Sequence, residues 1–130
     1  MQTKERKVTF KDVVQWFDPR KNQAGNWAFI LNRITALGLT FYLFLHLIIL
    51  SKLAQGPDGY DSFIASIKNP IFVTGELLVV AAGFIHGFNG IRVILNSFGI
   101  GVPSQKALFY VFLAIALVAT VIIGYRMYTA

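Results

Sequence analysis

Two histidines are the side chains of this sequence that are best suited to bind a metal. His46 and His86 are its only imidazoles, and both lie in long apolar stretches that keep the ring neutral. A neutral imidazole binds iron through one ring nitrogen, so each histidine is a candidate axial ligand of a haem. The sequence has no cysteine, which excludes iron–sulfur clusters, thiolate nucleophiles and covalently attached c-type haem on this chain.

His86 lies among three glycines. On a helix with 100° per residue, Gly83, Gly87 and Gly90 fall within about 60° of one another, and His86 lies about 60° from Gly83. This stripe combines a missing side-chain surface with one nitrogen ligand, and it predicts a groove that admits a flat macrocycle whose metal His86 binds. The alternative for the glycines is close helix packing through a small-xxx-small motif. The alternative for His46 is a neutral ring hydrogen-bonded across helices.

Three further polar residues lie in or beside the same apolar stretches. Asn89 is placed to hydrogen-bond a neighbouring helix. Arg92 has two interpretations: its guanidinium reaches lipid phosphates, or it pairs with a haem propionate at the membrane edge. Glu76 is interpreted as a carboxylate that reaches the aqueous edge, and no chemistry is assigned to it.

The elements that position these residues are predicted to be membrane spans. Hydrophobic residues make up 55% of the 130 residues and charged residues only 14%, against roughly 25% charged in a soluble domain. The mean hydropathy is +0.60. Apart from Glu76, residues 34–51, 69–91 and 107–125 carry no charge, and each run is close to the roughly 20 residues that cross a bilayer. We predict an all-α membrane protein with three transmembrane helices, at about residues 30–54, 70–96 and 106–128.

The distribution of basic residues predicts the orientation. The net charge is +6, and seven of the 12 lysines and arginines precede residue 34. The positive-inside rule therefore places the N-terminus in the cytoplasm, and the charge gives no support to nucleic-acid binding. Residues 1–26 form a cytoplasmic segment, and residues 27–130 form the transmembrane domain. Connections are expected as an outer loop over residues 56–69 and an inner loop over residues 99–104.

The cytoplasmic segment contains a predicted short amphipathic helix. Its apolar residues follow the i, i+3, i+4, i+7 pattern at Phe10, Val13, Val14 and Phe17. Thr9 and Asp12 are typical of a capping box at its start, and Pro19 ends the run.

The residues around His86 also resemble a known family. His86-Gly-Phe-Asn-Gly-Ile-Arg92, followed by Phe98-Gly99, resembles the His-x-x-x-Gly-Ile-Arg segment of the cytochrome b subunit of succinate dehydrogenase (complex II). Ile30-Leu-Asn-Arg-Ile-Thr35 resembles the signature that precedes the first span in the same family. The resemblance covers roughly residues 27–128. It implies a fold in which the three spans form half of a helical bundle that a sister anchor chain completes.

The resemblance also implies roles for individual residues. His86 matches the ligand of haem b, and Arg33 matches an arginine at the cytoplasmic-side quinone pocket and the haem propionates. Thr35 stands where the family often has a small hydroxyl residue. The chain departs from the family pattern at five positions, so the quinone headgroup is expected to contact Asn26, Trp27 or Asn32 instead; the departing residues are Phe29, Asn32, Ala36, Val93 and Ser97.

His46 resembles a first-span histidine of family members that hold two haems. In that class each of the two anchor chains lends one histidine to each haem, so His86 would serve the haem nearer the cytoplasm and His46 the outer one. From the residues alone, one haem clamped by both histidines stays equally open, because their depths, counted from the span ends, differ by only about 5 Å.

The resemblance implies a membrane-anchor subunit of a succinate:quinone oxidoreductase in a prokaryotic cytoplasmic (inner) membrane. Its partners would be a flavoprotein carrying FAD, an iron–sulfur subunit, a second anchor chain and membrane quinone, and the chain alone would have no activity. Trimers of such complexes stay open. The alternatives are an anchor of fumarate reductase working in reverse, a cofactor-free structural subunit of another respiratory complex, and a small transporter subunit with histidines in a proton path.

Overall fold

The chain folds into three long helices and two short ones. A computed structural model describes residues 8–16 and 24–129, and these residues form helices and connections with no strand. The helices are α1 (Phe10–Trp16), α2 (Ala24–Ser51), α3 (Pro57–Ile67), α4 (Pro70–Ser97) and α5 (Gln105–Thr129), and short 3-10 turns at Lys52–Gln55 and Val102–Ser104 adjoin α2 and α5.

Three of these helices are long and apolar enough to cross a membrane. With their adjoining turns they cover Ala24–Gln55, Pro70–Ser97 and Val102–Thr129, with mean hydropathy between 1.8 and 2.7 over their most apolar windows. The prediction of an all-α protein with three spanning helices is therefore confirmed. The first long helix begins at Ala24, about six residues before the predicted start.

Helix α1 begins with the predicted capping interaction. The backbone N–H of Thr9 donates to Asp12 Oδ2 at 2.9 Å, and the Thr9 hydroxyl donates to the same oxygen at 2.7 Å. Phe17 and Pro19, which complete the predicted pattern, lie outside the described residues.

The segment predicted as an outer loop contains a helix, so that prediction was wrong. Gly56 makes the expected turn with φ +87°, but α3 follows it immediately, with Pro57 in its first turn. Its apolar residues lie at i, i+3, i+4 and i+7 from Tyr60, on one helical face. Gly56 and Pro57 are typical of a turn, but proline is also favoured at the first position of a helix, so the same residues suit a helix start.

Both ends of α4 are closed by specific backbone interactions. At its start, Asn69 Oδ1 accepts the backbone N–H groups of Ile71 and Phe72 at 3.0 and 3.2 Å. At its end, Gly99 has φ +75°, and the Ile100 N–H donates to the Leu95 carbonyl at 2.9 Å. This is a Schellman motif, in which glycine supplies the left-handed residue. These interactions fix the two ends of α4, and with them the position of each of its residues along the helix axis.

Helix α4 is the centre of the three-helix bundle, because it packs against both α2 and α5, which run antiparallel to it. Against α5, Phe88 stacks on Phe112 with ring centroids 5.7 Å apart. A Cβ on Gly124 would lie 3.0 Å from the side chain of Leu77, so the two helices approach closely there. Near the opposite end from Gly99, the hydroxyls of Thr74 and Tyr128 lie 2.6 Å apart.

Few side chains are buried within the chain. Among the residues that the structure describes, the buried apolar ones include Ala28, Phe109 and Ala116, while the buried polar ones are Thr35, Asn89 and Arg92. Many large apolar side chains on all three long helices are exposed. Lipid or another protein therefore has to cover most of the bundle. The small core that the bundle does bury is partly polar.

Candidate functional site

His86 is held between α4 and α2. Its Nδ1 lies 3.2 Å from the backbone carbonyl of Asn32 and 3.3 Å from the hydroxyl oxygen of Thr35. The Thr35 hydroxyl lies 2.7 Å from the Leu31 carbonyl and donates its proton there. Both neighbours of Nδ1 are therefore hydrogen-bond acceptors.

This arrangement selects one tautomer of the imidazole. Because Nδ1 faces two acceptors, the ring proton resides on Nδ1, and the lone pair resides on Nε2. Nε2 forms no hydrogen bond within residues 8–16 and 24–129. Metal-binding histidines usually donate the other N–H to a carbonyl or carboxylate, which fixes the ring and raises its basicity. His86 has this arrangement with Nε2 as the free ligand atom.

The predicted haem groove faces away from the rest of the chain. Gly83 and Gly87 are exposed, Gly90 is half-buried, and a Cβ added at any of them would meet no atom within 4 Å. Among the described residues these glycines therefore do not serve close helix packing, whereas Gly124 does. They leave a flat strip of backbone beside His86 that is open to a ligand or to a partner chain.

The residues at this site fit a haem b. One imidazole with a fixed tautomer and a free lone pair is the donor that the iron needs from one chain, and the glycine strip leaves room beside it. Within the described part of the chain, no three His, Cys, Asp or Glu side chains cluster to hold a bare metal ion.

The predicted quinone residues lie within about three turns at the start of α2 but differ in surroundings. Thr35 is buried and its hydroxyl is engaged beside His86. Asn32 has a buried side-chain oxygen, Oδ1, without a hydrogen-bond partner among the described residues. Arg33 is exposed, and its guanidinium lies 4.5 Å from the ring centroid of Phe29. Trp27 is half-buried and Asn26 exposed on the preceding turns. Arg33 therefore offers an exposed donor, whereas the acceptor of Asn32 is buried within the chain.

Arg92 lies apart from the glycine strip. At 100° per residue it is about 180° from Gly83 around α4, and it is only 7% exposed. Its Nε donates to Asn89 Oδ1 at 2.9 Å, and Asn89 Nδ2 donates to the Ala28 carbonyl at 3.0 Å. The predicted hydrogen bond from Asn89 to a neighbouring helix is confirmed.

His46 has a different environment from His86. It is half-buried, and its ring stacks on Tyr42, one turn earlier in α2, with centroids 5.6 Å apart. Within the described ranges, His46 forms no hydrogen bond to another helix. The alternative of a ring hydrogen-bonded across helices is therefore not seen among these residues.

The contacts of His86 also fix the separation of the two histidines. His86 lies at the level of Asn32 and Thr35, and His46 lies eleven residues beyond Thr35 on α2. At 1.5 Å per residue this is about 16 Å along the helix. One metal atom cannot bind both rings, so a haem clamped by both histidines of one chain is excluded.

Sequence reasoning did not find one contributor to this site, nor a separate cleft near the start of α5. The Asn32 carbonyl acts through the backbone, which no residue type reveals. Lys106 and Gln105 line a cleft with Arg92, and the only signal for them was their position at the start of an apolar run.

Known proteins resemble the chain over most of its length. Residues 16–123 match the family described as the succinate dehydrogenase/fumarate reductase transmembrane subunit. The chain is 33% identical over 113 residues to the succinate dehydrogenase 2 membrane subunit SdhC of Mycobacterium tuberculosis, which covers 83% of each protein. It is 33% identical over 88 residues to the succinate dehydrogenase hydrophobic membrane anchor subunit of Halobacterium salinarum, covering 67% of this chain and 68% of that protein.

Proposed function

The chain belongs to the succinate dehydrogenase/fumarate reductase transmembrane subunit family, and from this membership we propose that it is a haem b-binding anchor of a succinate:quinone oxidoreductase. The membership confirms the resemblance drawn from the His86–Arg92 segment. In this function the chain attaches a flavoprotein and an iron–sulfur subunit to the membrane and helps electrons reach membrane quinone. The chain has no cysteine, so the clusters belong to a partner.

The observation that carries the proposal is the contact of His86 with two hydrogen-bond acceptors. Its Nδ1 faces the Asn32 carbonyl and the Thr35 hydroxyl, so Nε2 would be the axial ligand of the haem iron. The open strip at Gly83, Gly87 and Gly90 would receive the macrocycle. When bound, haem b supplies a one-electron carrier within the membrane.

We assign the quinone pocket to the exposed side of α2 near Arg33. The guanidinium of Arg33 would donate to a quinone oxygen or a haem propionate, and the unpartnered Oδ1 of Asn32 lies one residue away. Trp27 supplies an aromatic wall two turns nearer the start of the helix. Thr35 contributes indirectly, because its hydroxyl holds His86.

A sister anchor chain would complete the bundle. It would cover the glycine strip and supply the second axial ligand, since His46 and His86 cannot meet on one iron. The separation of about 16 Å supports the two-haem arrangement, in which His86 serves one haem and His46 another. We propose a prokaryotic inner membrane for the complex, and by the positive-inside rule the basic N-terminus would put the His86 end on its cytoplasmic side.

The experiment that tests this function is a reduced-minus-oxidised spectrum of the purified complex. We expect a b-type α-band and co-purification of the flavoprotein and iron–sulfur subunits. A complex with both soluble subunits and no α-band would leave the anchor function standing and refute haem binding. Absence of both soluble subunits would refute the anchor function itself.

A further inference from the structure

A cleft with two cations lies at the end of the bundle where the helices α2 and α5 begin and α4 ends. It has a volume of about 400 Å³ and is lined by polar and aromatic side chains. The lining residues include Arg92, Gln105, Lys106, Phe109 and Tyr110. None of its described lining residues is acidic. A cleft with two cations and no anion of its own attracts an anionic ligand.

Arg92 is the residue that makes this cleft a site. The side chain is only 7% exposed, and a charge so buried needs partners for its donors. Nε donates to Asn89, and this is the single hydrogen bond of the guanidinium within the described residues. Arg92 lines the cleft, and its Nη groups have no acceptor among the described residues. A planar guanidinium whose Nη1–Nη2 edge is free suits a bidentate oxyanion such as a phosphate.

The height of the cleft identifies where the anion comes from. Helix α4 contains 28 residues and is therefore about 42 Å long, which matches the 40–45 Å of a bilayer with its headgroups. Arg92 lies five residues before the helix end at Ser97, or about 7.5 Å along the axis. Lys106 is the second residue of α5. Both cations thus border the layer that contains lipid phosphates.

The apolar part of the cleft suits a lipid better than a haem propionate or a protein carboxylate. Phe109 lies within 5.9 Å of the Arg92 guanidinium carbon, and exposed apolar side chains of α5 continue from Tyr110 towards the bilayer centre. A haem propionate on the glycine strip would lie on the opposite side of α4. A carboxylate offers one negative charge and nothing for the apolar wall.

We propose that Arg92 and Lys106 bind the phosphate of an anionic phospholipid that enters this cleft between α2, α4 and α5. Two cations favour a lipid with net negative charge, such as phosphatidylglycerol, over zwitterionic phosphatidylcholine. The buried Arg92 does not extend to the headgroups, so the lipid phosphate comes to it. This site is separate from the haem and quinone sites and does not depend on them.

The test uses the intact complex, delipidated in detergent and titrated with each lipid while native mass spectrometry counts bound molecules. Wild type should bind phosphatidylglycerol more tightly than phosphatidylcholine. Lys106→Gln should weaken phosphatidylglycerol binding about five-fold, since a basic residue near the membrane surface contributes roughly 1 kcal/mol. Arg126→Gln, on the same helix at its other end, is the matched control and should leave binding unchanged.

Further arms distinguish other anions. Arg92→Lys should weaken phosphatidylglycerol binding about ten-fold, because the bidentate contact is lost; if this variant fails to assemble, Lys106→Gln decides alone. Millimolar inorganic phosphate should not displace the lipid, and displacement would overturn the proposal in favour of a free anion. Unchanged lipid binding in Lys106→Gln would also overturn the proposal. A shifted haem spectrum in that variant would indicate that Lys106 pairs with a haem propionate. Dissociation of the soluble subunits would indicate that it pairs with a carboxylate of a partner protein.

Discussion

The two histidines lie in regions built in opposite ways. His86 is fixed by a second helix, because the Asn32 carbonyl and the Thr35 hydroxyl on α2 surround its Nδ1. The ring contact of His46 among the described residues is with Tyr42 of its own helix. The first region is preorganised by this chain, whereas the second has no fixed ring orientation until something else contacts it.

This difference indicates how the work is divided between chains. A preorganised ligand loses little freedom when iron binds, so His86 would contribute affinity for the proposed haem as soon as the chain folds. His46 would gain its orientation from the sister chain or from the cofactor. We therefore expect the haem at His86 to depend mainly on this chain and any haem at His46 to depend mainly on the assembly.

The largest effect is expected from His86→Ala. The variant removes the ligand atom while α2, α4 and α5 keep their other contacts, so the chain should still insert and the haem nearer the cytoplasm should be lost almost completely. The measurement is the pyridine haemochrome content of the purified complex relative to flavin. Full haem content in this variant would refute the assignment of His86.

A second effect of nearly the same size is expected from His46→Ala. If two haems are present, their ratio to flavin should fall from two to one, and the haem at His86 should keep its spectrum. Tyr42→Phe, which retains an aromatic neighbour for the ring, is the matched control. One haem per flavin in the wild type would return His46 to a residue without a metal.

Replacement of Arg33 by alanine should impair quinone turnover more than succinate oxidation. A hydrogen bond from a charged donor contributes about 1.5–3 kcal/mol, so quinone turnover should fall roughly ten-fold to a hundred-fold. Succinate oxidation by an artificial dye should change much less, because the dye takes electrons before the anchor. Lys52→Ala, a cation at the other end of α2, serves as control. Equal losses in both assays would mean general misassembly.

The smallest effect is expected from Thr35→Val. This change removes one of the two acceptors at Nδ1 and keeps the side-chain volume, so haem should dissociate about ten-fold faster, at the low end of the usual effect of such outer contacts. Transfer of haem to excess apomyoglobin measures the rate. Thr35→Ser should restore the slow dissociation of haem. Thr40→Val should leave the rate unchanged, since the Thr40 hydroxyl donates to the Ala36 carbonyl of its own helix. No effect in Thr35→Val would remove the distinction between the two histidine regions.

The sequence predicted the three spans because a long uncharged run can be read without knowledge of its neighbours. It did not predict α3, whose turn residues at Gly56 and Pro57 also suit a helix start. The stacking of His46 on Tyr42 could also have been predicted from the sequence, because Tyr42 lies one turn away on the same helix. Local features of this kind depend on spacing alone.

The relations between helices could not be predicted in the same way. Depths counted from the ends of the spans left the two histidines about 5 Å apart, whereas the contact of His86 with Asn32 separates them by about 16 Å. The error came from the start of α2, which extends back to Ala24. The direction of Arg92, away from the glycine strip, likewise depends on which face of α4 packs against α2 and α5.

The shallow core of the bundle has a consequence for biosynthesis. Within the part of the chain that the structure describes, Thr35, Asn89 and Arg92 are the buried polar residues, and most large apolar side chains face outward. Contact with the sister chain and the cofactor would therefore supply much of the stability, by mass action. A copy synthesised in excess would stay an orphan, open to membrane proteases. Degradation of such orphans would match the amount of this anchor to that of its partner without any control of transcription.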